Sequence, residues 1–349
     1  MSGPIAIAVS GGVDSLVSAY LLKQQGFDVF GIHFLSGYEQ PIDPEAEQIH
    51  ALCRQLGMPV TVIDLKMQFK TRVVDYFSAA YQRGETPNPC LVCNPAIKFG
   101  ALLAAARRLG ASRLATGHYA RVEAGQGGQY RLCKGVDDKK DQSYFLSRLT
   151  RGQLARACFP LGSWTKDQVR ELAARQGLQP LTRQESQDVC FIRDTRYADF
   201  LTRNTAIRPQ PGDIVDTAGH RVGTHNGLHQ YTVGQRRGIN CPAGEAYYVV
   251  RIDSRLNRLV VGFKDELSAT GCRVYDINWI ADIPESPMAA DTRIRYRHKA
   301  VPSMVSPVGL DGAVVRFDQP LAAVTPGQGA VFYRGDEVMG GGWIEKNPY

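Results

Sequence analysis

The sequence predicts an α/β protein: an open, mostly parallel sheet, then a small connecting domain and a C-terminal β-barrel. Three observations lead there. Short apolar runs alternate with helix-period segments through about residue 116. A texture rich in Gly, Pro, His and Arg begins near residue 203. From about residue 247 short alternating runs are separated by turn residues.

Ile5 to Val9 is a short apolar run, the pattern of a buried parallel strand, and it enters Ser10-Gly11-Gly12. Val13, Leu16, Val17, Tyr20 and Leu21 follow at helical spacing, and Gly26 closes that helix. Asp28 to Phe34 reads as the second strand, Glu45 to Leu56 as a helix and Pro59 to Leu65 as the third strand. Ile97 to Leu109 reads as another helix and Ser112 to Thr116 as another strand. Such an order puts helices on both sheet faces and sites beyond the carboxyl ends of the strands. The runs YYVVRID, RLVVGF, RVYDINWI, DTRIRYRH, GAVVRFD and GAVFYRG read as the later strands. Arg293, Arg295, Arg297 and Lys299 alternate with Ile294, Tyr296 and His298, so a strand there would carry its basic groups on one face. The expected domains are 1–202, 203–270 and 271–349.

Hydrophobic residues make up 44% and charged residues 21% of the 349, which excludes wholesale disorder. No run approaches the roughly 20 apolar residues of a membrane span, and the first residues lack a secretory pattern. The cytoplasm is the expected location, without a membrane partner. The net charge of +7 is spread as +5 over 1–202, +3 over 203–270 and −1 over 271–349, which permits a nucleic-acid partner without requiring one. Eight cysteines in a long chain without a secretion signal argue against a disulfide framework.

Ser10-Gly11-Gly12-Val13-Asp14-Ser15 is the most specific local motif. It is neither a Walker A sequence nor a dinucleotide fingerprint. Its glycines allow a sharp turn whose amides face one anion, and the following helix adds its positive end. Ser10 and Ser15 offer hydroxyls, and Asp14 can hold Mg²⁺ against phosphate oxygens. Thr86-Pro87-Asn88-Pro89-Cys90-Leu91-Val92-Cys93-Asn94 reads as a stiff extended loop before a helix. Its thiols can be acidified by a helix end or form half of a metal site. A four-cysteine zinc site is disfavoured, since no second Cys-x-x-Cys exists. Cys190, between Val189 and Phe191, reads by itself as a small buried residue. Cys53 reads as core, and Cys133, Cys158, Cys241 and Cys272 as inert.

The first motif resembles the PP-loop ATP pyrophosphatases, which makes the α/β domain PP-loop and Rossmann-like. Further segments are TPNPCLVCN with Lys98-Phe99, ATGHY at 115–119, KDQSYFL at 140–146 and FPLG at 159–162. SQDVCF at 186–191, GLHQYTVGQRRG at 227–238, Arg295-Tyr296 and VTPGQGAVFYRGDEVMGGG at 324–342 follow. Together they resemble the tRNA-specific 2-thiouridylase family across almost the whole chain. The resemblance implies an ATP site lined by Ala8, Val9, Ser10, Gly11, Gly12, Val13, Asp14, Ser15, Phe34 and Gly117, with Mg²⁺. It places Asn88, Pro89 and Cys90 at the target base, with Cys93 as nucleophile and Cys190 as persulfide carrier. It puts His118, Lys140, Asp141, Gln142, Arg295, Tyr296 and Gln328 against tRNA. Implied partners are the tRNAs for Lys, Glu and Gln, and a sulfur donor such as a cysteine desulfurase or relay protein.

The implied reaction is adenylation of the wobble uridine 2-oxygen, then sulfur transfer that leaves a Cys93–Cys190 disulfide. Many family members carry Asp where this chain has Cys90. An alternative follows: Cys90, Cys93 and Cys190 as three ligands of a [4Fe–4S] cluster. Two further alternatives are an adenylating enzyme for a small molecule and a non-catalytic RNA-binding protein.

Overall fold

The computed structural model describes residues 3–39, 46–125, 128–181, 189–192 and 197–346. The chain divides into two units. The first comprises Met1–Val73, Cys90–Arg193 and Gly335–Met339; the second comprises Val74–Pro89, Asp194–Arg334 and Gly340–Tyr349.

The first unit is built on β1 (Ile5–Ala8), β2 (Val29–Leu35), β3 (Val60–Asp64), β4 (Arg113–Ala115), a hairpin of β5 (Ala120–Ala124) with β6 (Tyr130–Lys134), and β7 (Ala157–Cys158). The main sheet has the order β3-β2-β1-β4-β7, and every pairing in it is parallel. Ile5, Ala6 and Ile7 are all fully buried, which is why β1 reads as a continuous apolar run. Helix α1 (Val13–Gln24) turns Leu16, Ala19 and Leu22 into one core with Ile5, Ile7 and Val29. Ile49, Leu52 and Cys53 of α2 (Ala46–Arg54) complete that core, as expected for Cys53. The other face of α1 packs Val17 against Val169, Leu172 and Ala173 of the helix Lys166–Arg175. From β1 the order runs to β2 on one side and β4 on the other. This is the switch point where open α/β sheets place ligands.

The cysteine segment departs from expectation. The extended loop ends at Pro89, and a continuous helix runs from Cys90 to Arg108. Its first turn is Cys90–Cys93, Asn94–Leu102 is a π-helix, and Leu103–Arg108 is α-helical. Pro95 supplies the physical reason: it fixes a helical φ but brings no amide, so the register is broken where it sits. The wide turn is seen at its end, where the Leu103 amide reaches the Lys98 carbonyl, five residues back. Gln153 Nε2 donates to the Pro95 and Phe99 carbonyls at 2.8 and 3.1 Å, satisfying groups the broken register leaves. A Cβ at residue 100 would sit 2.7 Å from the Pro95 oxygen, so glycine is needed there. By length and composition this helix could cross a membrane, but Ile97, Phe99, Leu102 and Leu103 are buried in the unit.

The second unit holds two all-β parts. The smaller contains β8 (Gly212–Val215), β9 (Arg221–His225), β10 (Tyr248–Asp253) and β11 (Arg258–Gly262), in the order β10-β11-β8-β9. Ile214, Tyr231, Val249, Ile252, Leu259 and Val261 form its core. The larger is a barrel of β12 (Ser268–Trp279), β13 (Met288–Arg293), β14 (Val301–Val308), β15 (Gly312–Ala322), β16 (Gly329–Arg334) and β17 (Glu337–Ile344), the last belonging to this unit from Gly340 onward. The β12–β17 pairing closes it and removes its edges. Ala313, Val315 and Phe317 point inward from β15 while Val314 is exposed, the period-two pattern of a half-buried strand. The expected basic strand at 293–299 is absent. Strand β13 ends at Arg293, and Ile294 to His298 form a turn. The Arg293 Nε donates to the His298 carbonyl at 3.0 Å, and its guanidinium lies 5.3 Å from the Tyr296 ring centre. These contacts fold the segment back instead of extending it.

Candidate functional site

The loop after β1 has the form expected of an anion cradle. Gly11 has φ +84°, a conformation that favours glycine. Gly12 precedes α1 in extended conformation and offers no side-chain cap, so the first amides of a 12-residue helix stay open to a ligand. Ser15 Oγ donates to the Gly12 carbonyl at 2.9 Å and accepts from the Ser10 amide at 3.3 Å, holding the loop closed. The loop after β4 comes alongside. At Gly117 a Cβ would lie 2.9 Å from the Asp14 backbone carbon and 3.0 Å from the Ser15 nitrogen. The expected nucleotide residues of the first loop and Gly117 are therefore brought together. Phe34 sits on β2 with its ring 6.4 Å from that of Phe69.

Asp14 is engaged differently from expectation. Lys166 Nζ lies 2.8 Å from each of its carboxylate oxygens, and Tyr119 OH donates to Oδ1 at 2.7 Å. Thr165 caps the helix Lys166–Arg175 in a capping box with Gln168, which fixes Lys166 at the first helical position. A cation there opposes the helix dipole, so its side chain needs a carboxylate. Lys166 is 6% exposed and Asp14 32%. These partners do not exhaust the lone pairs of the Asp14 carboxylate, which can still hold the expected Mg²⁺ against nucleotide phosphates. The sequence reading missed Lys166 and Tyr119. Thr165-x-x-Gln168 after FPLG was the available signal for the helix start.

The second group gathers the thiols. Cys93 is buried, Cys90 half-buried and Cys190 exposed. The exposure of Cys190 corrects its reading as buried; its neighbours Phe191 and Ile192 are the buried ones. The Phe191 ring is 5.6 Å from Phe69 and 6.1 Å from Tyr38, which anchors the segment beside Cys190. Ser186, Gln187 and Asp188 of the same motif lie outside the described residues. Burial pushes the Cys90 thiol up to about 12; Cys190 adds to the rise and Lys98 opposes it. Burial also raises Cys93 far above the ordinary thiol range, with Lys98 again opposing and Cys190 and Cys90 adding. The three thiols and Lys98 thus share one electrostatic neighbourhood. On an α-helix residues 93 and 98 would be turned about 140° apart. The wider π turn brings positions five apart closer to one face.

Lys98 is itself held. Its Nζ lies 3.3 Å from His118 Nε2, and His118 Nδ1 lies 2.6 Å from Thr116 Oγ1. An ammonium has only donors, so Nε2 accepts and the ring proton sits on Nδ1, facing Thr116. Burial, then Lys98, keeps the His118 pKa well below the usual histidine range, so the ring is neutral. Among the described residues no group of three His, Cys, Asp or Glu side chains is placed to hold a metal ion, so the three cysteines do not form a ready ligand set for a [4Fe–4S] cluster.

The residues expected against tRNA belong to both units. Asp141 is buried, with Oδ1 accepting from the Gly135 and Ser143 amides and Oδ2 from Ser143 Oγ. Gln142 Oε1 accepts from the Tyr119 amide, and Lys140 is half-buried in the preceding turn. In the second unit, Arg295 Nη2 donates to the Val233 carbonyl at 3.0 Å, the Ala323 carbonyl at 2.8 Å and Thr325 Oγ1. Gln328 Nε2 donates to the Thr86 and Pro87 carbonyls at 2.9 and 3.3 Å, pinning the segment that leads into Asn88 and Pro89. Tyr296 lies under the Arg293 guanidinium.

Residues 4–194 match the family model described as tRNA methyl transferase HUP domain. Residues 198–263 match the tRNA methyl transferase PRC-barrel domain, and 269–344 the aminomethyltransferase beta-barrel domain. A tRNA-specific 2-thiouridylase MnmA of Desulfosudis oleivorans is 54% identical over 97% of this chain and 94% of its own length. The proteins of the same name from Geobacter metallireducens and Geotalea uraniireducens are 45% and 44% identical, each over 98% of this chain and 96% and 94% of their own lengths. With a glycine cradle at the switch point, a group of thiols in the same unit, and this identity along nearly its full length, the chain belongs to the tRNA-specific 2-thiouridylase family.

Proposed function

We propose that this protein converts a uridine of tRNA to 2-thiouridine at the cost of ATP, the base being the wobble uridine. The uridine 2-oxygen attacks the α-phosphorus of ATP, and pyrophosphate leaves with its charge facing the amides of Gly11 to Ser15. That step makes the 2-oxygen part of a good leaving group, AMP. The terminal sulfur of a Cys190 persulfide then attacks C2, the C2–O bond breaks, and AMP departs. Cys93, once deprotonated, attacks the inner sulfur of Cys190. The persulfide S–S bond breaks, sulfur stays on the base, and a Cys93–Cys190 disulfide forms for an external thiol reductant to reopen.

The observation that supports this route most is the exposed Cys190 thiol within electrostatic reach of Cys93 and Lys98. Exposure suits a thiol that must be loaded by another protein. Burial suits one that must act only after the base has arrived. Cys90, neutral at physiological pH, cannot take the place of a carboxylate base. Cys93→Ser and Cys190→Ser should each abolish 2-thiouridine formation while tRNA-dependent pyrophosphate release persists. Thiolation by either variant at the wild-type rate would refute the thiol route.

A further inference from the structure

The GLHQYTVGQRRG segment has a structural consequence that the thiolation chemistry leaves unused. Gln235 accepts from the Thr232 amide at 3.1 Å and donates through Nε2 to the Arg237 carbonyl at 2.9 Å. Gly234 and Val249 bind the loop to the sheet: the Gly234 amide donates to the Val249 carbonyl, and the Val249 amide to the Gln235 carbonyl. Gly234 and Gly238 have φ of +86° and +82°, and Asn240 follows at +55°, so the chain reverses sharply around the two arginines.

This pinned turn lines a cavity of about 370 Å³ with Arg236, Arg237, Ile239, Cys241 and Tyr247. Both arginines are exposed, and among the described residues neither guanidinium is paired with a carboxylate. Arg295, by contrast, turns a guanidinium nitrogen to internal acceptors. Tyr247 is backed by Phe263, the rings nearly parallel with centres 5.2 Å apart. Two unspent planar cations beside a supported aromatic ring match one chemistry: a phosphodiester with an adjoining base. A volume of this size accommodates a single nucleotide.

We infer that the Arg236–Arg237 turn and Tyr247 form a binding site for one nucleotide of an RNA strand, its phosphate on the arginines and its base against Tyr247. The occupant is an RNA nucleotide because the cavity is open at exposed arginines on a basic stretch, which suits a strand passing through. The inference rests on the proposed tRNA substrate, which the wild-type arm of the test checks by itself.

The test measures binding of unmodified tRNA to the full-length protein across a salt series, with AMP binding measured in parallel. Arg236→Ala/Arg237→Ala should flatten the slope of log K against log salt by about 0.7, as for one lost phosphate contact to single-stranded RNA. Arg236→Lys/Arg237→Lys should keep most of that slope. Tyr247→Ala should weaken tRNA binding by roughly tenfold at every salt concentration, as for a lost stacking contact. Wild-type slope and affinity in the double-alanine variant would overturn the site. So would loss of AMP binding with tRNA binding unchanged, which would assign the pocket to a free nucleotide. Absence of tRNA binding by the wild-type protein would instead overturn the substrate reading.

Discussion

Replacing Lys166 by methionine should destabilise the first unit and disable the nucleotide loop together. Methionine keeps nearly the same length and fills the same space, so the change removes a charge without leaving a large cavity. The ammonium stands 2.8 Å from both Asp14 oxygens and is 6% exposed. At an effective dielectric of ~20, that distance corresponds to about 6 kcal/mol of gross attraction. Breaking a fully buried pair costs about 3–5 kcal/mol. Asp14 keeps a third of its surface in water and retains the Tyr119 hydroxyl, so ~2–3 kcal/mol is the better expectation. For a unit of this size that is roughly a 5–10 °C drop in the midpoint of its thermal transition. The assay is scanning calorimetry of wild type, Lys166→Met, Asp14→Asn and the double variant. The double variant should be less destabilised than the sum of the singles, since both singles break the same ion pair. A Lys166→Met midpoint within 1 °C of wild type, or strictly additive singles, would refute the reasoning.

Other expectations concern neighbouring parts. Gly117→Ala places a methyl 2.9 Å from the Asp14 backbone, which cannot yield as a side chain could; ATP affinity by calorimetry should fall at least about tenfold, and unchanged affinity would mean the loops do not meet there. Urea midpoints under reductant should fall on both sides of neutrality. Cys53 and Cys133, at about 11, and Cys90 and Cys272, at about 12, stay protonated in the folded chain while the unfolded chain ionises above ~8.5, so stability is lost as pH rises from there toward 12. His118 is held neutral when folded but binds a proton below ~6.5 when unfolded, so stability is also lost as pH falls through that value. A flat profile from pH 5 to 10 would contradict both shifts. Arg295→Ala should cost about 1.5–3 kcal/mol in urea unfolding, because it strips donors from the Val233 and Ala323 carbonyls; a neutral result would show that the internal bonds contribute nothing.

The parallel sheet was legible because β1 is buried on both faces and so reads as one unbroken apolar run. The nucleotide loop was legible because adjacent glycines after such a strand have few other uses. What the sequence hid has identifiable causes. The π-helix at Asn94–Leu102 arises from a proline that also reads as a loop signal. Strands β14 and β17 were obscured by Pro302 and Pro307, and by Gly340 to Gly342. At Gly340 and Gly342 a Cβ would lie 2.7 and 2.6 Å from the Asn278 and Tyr275 carbonyls of the paired strand β12. The alternation at 293–299 was genuine, but Arg293 satisfies itself on its own turn. The Asp14–Lys166 pair joins residues far apart in the chain, so no local pattern announces it.

The most direct test of the central claim is a single-turnover reaction of purified protein with ATP, unmodified tRNA and a persulfide-loaded donor, analysed by nucleoside mass spectrometry and nucleotide quantification. The expected result is 2-thiouridine at the wobble position with one AMP released per thiolated base. Absence of 2-thiouridine, or release of ADP in place of AMP, would contradict it.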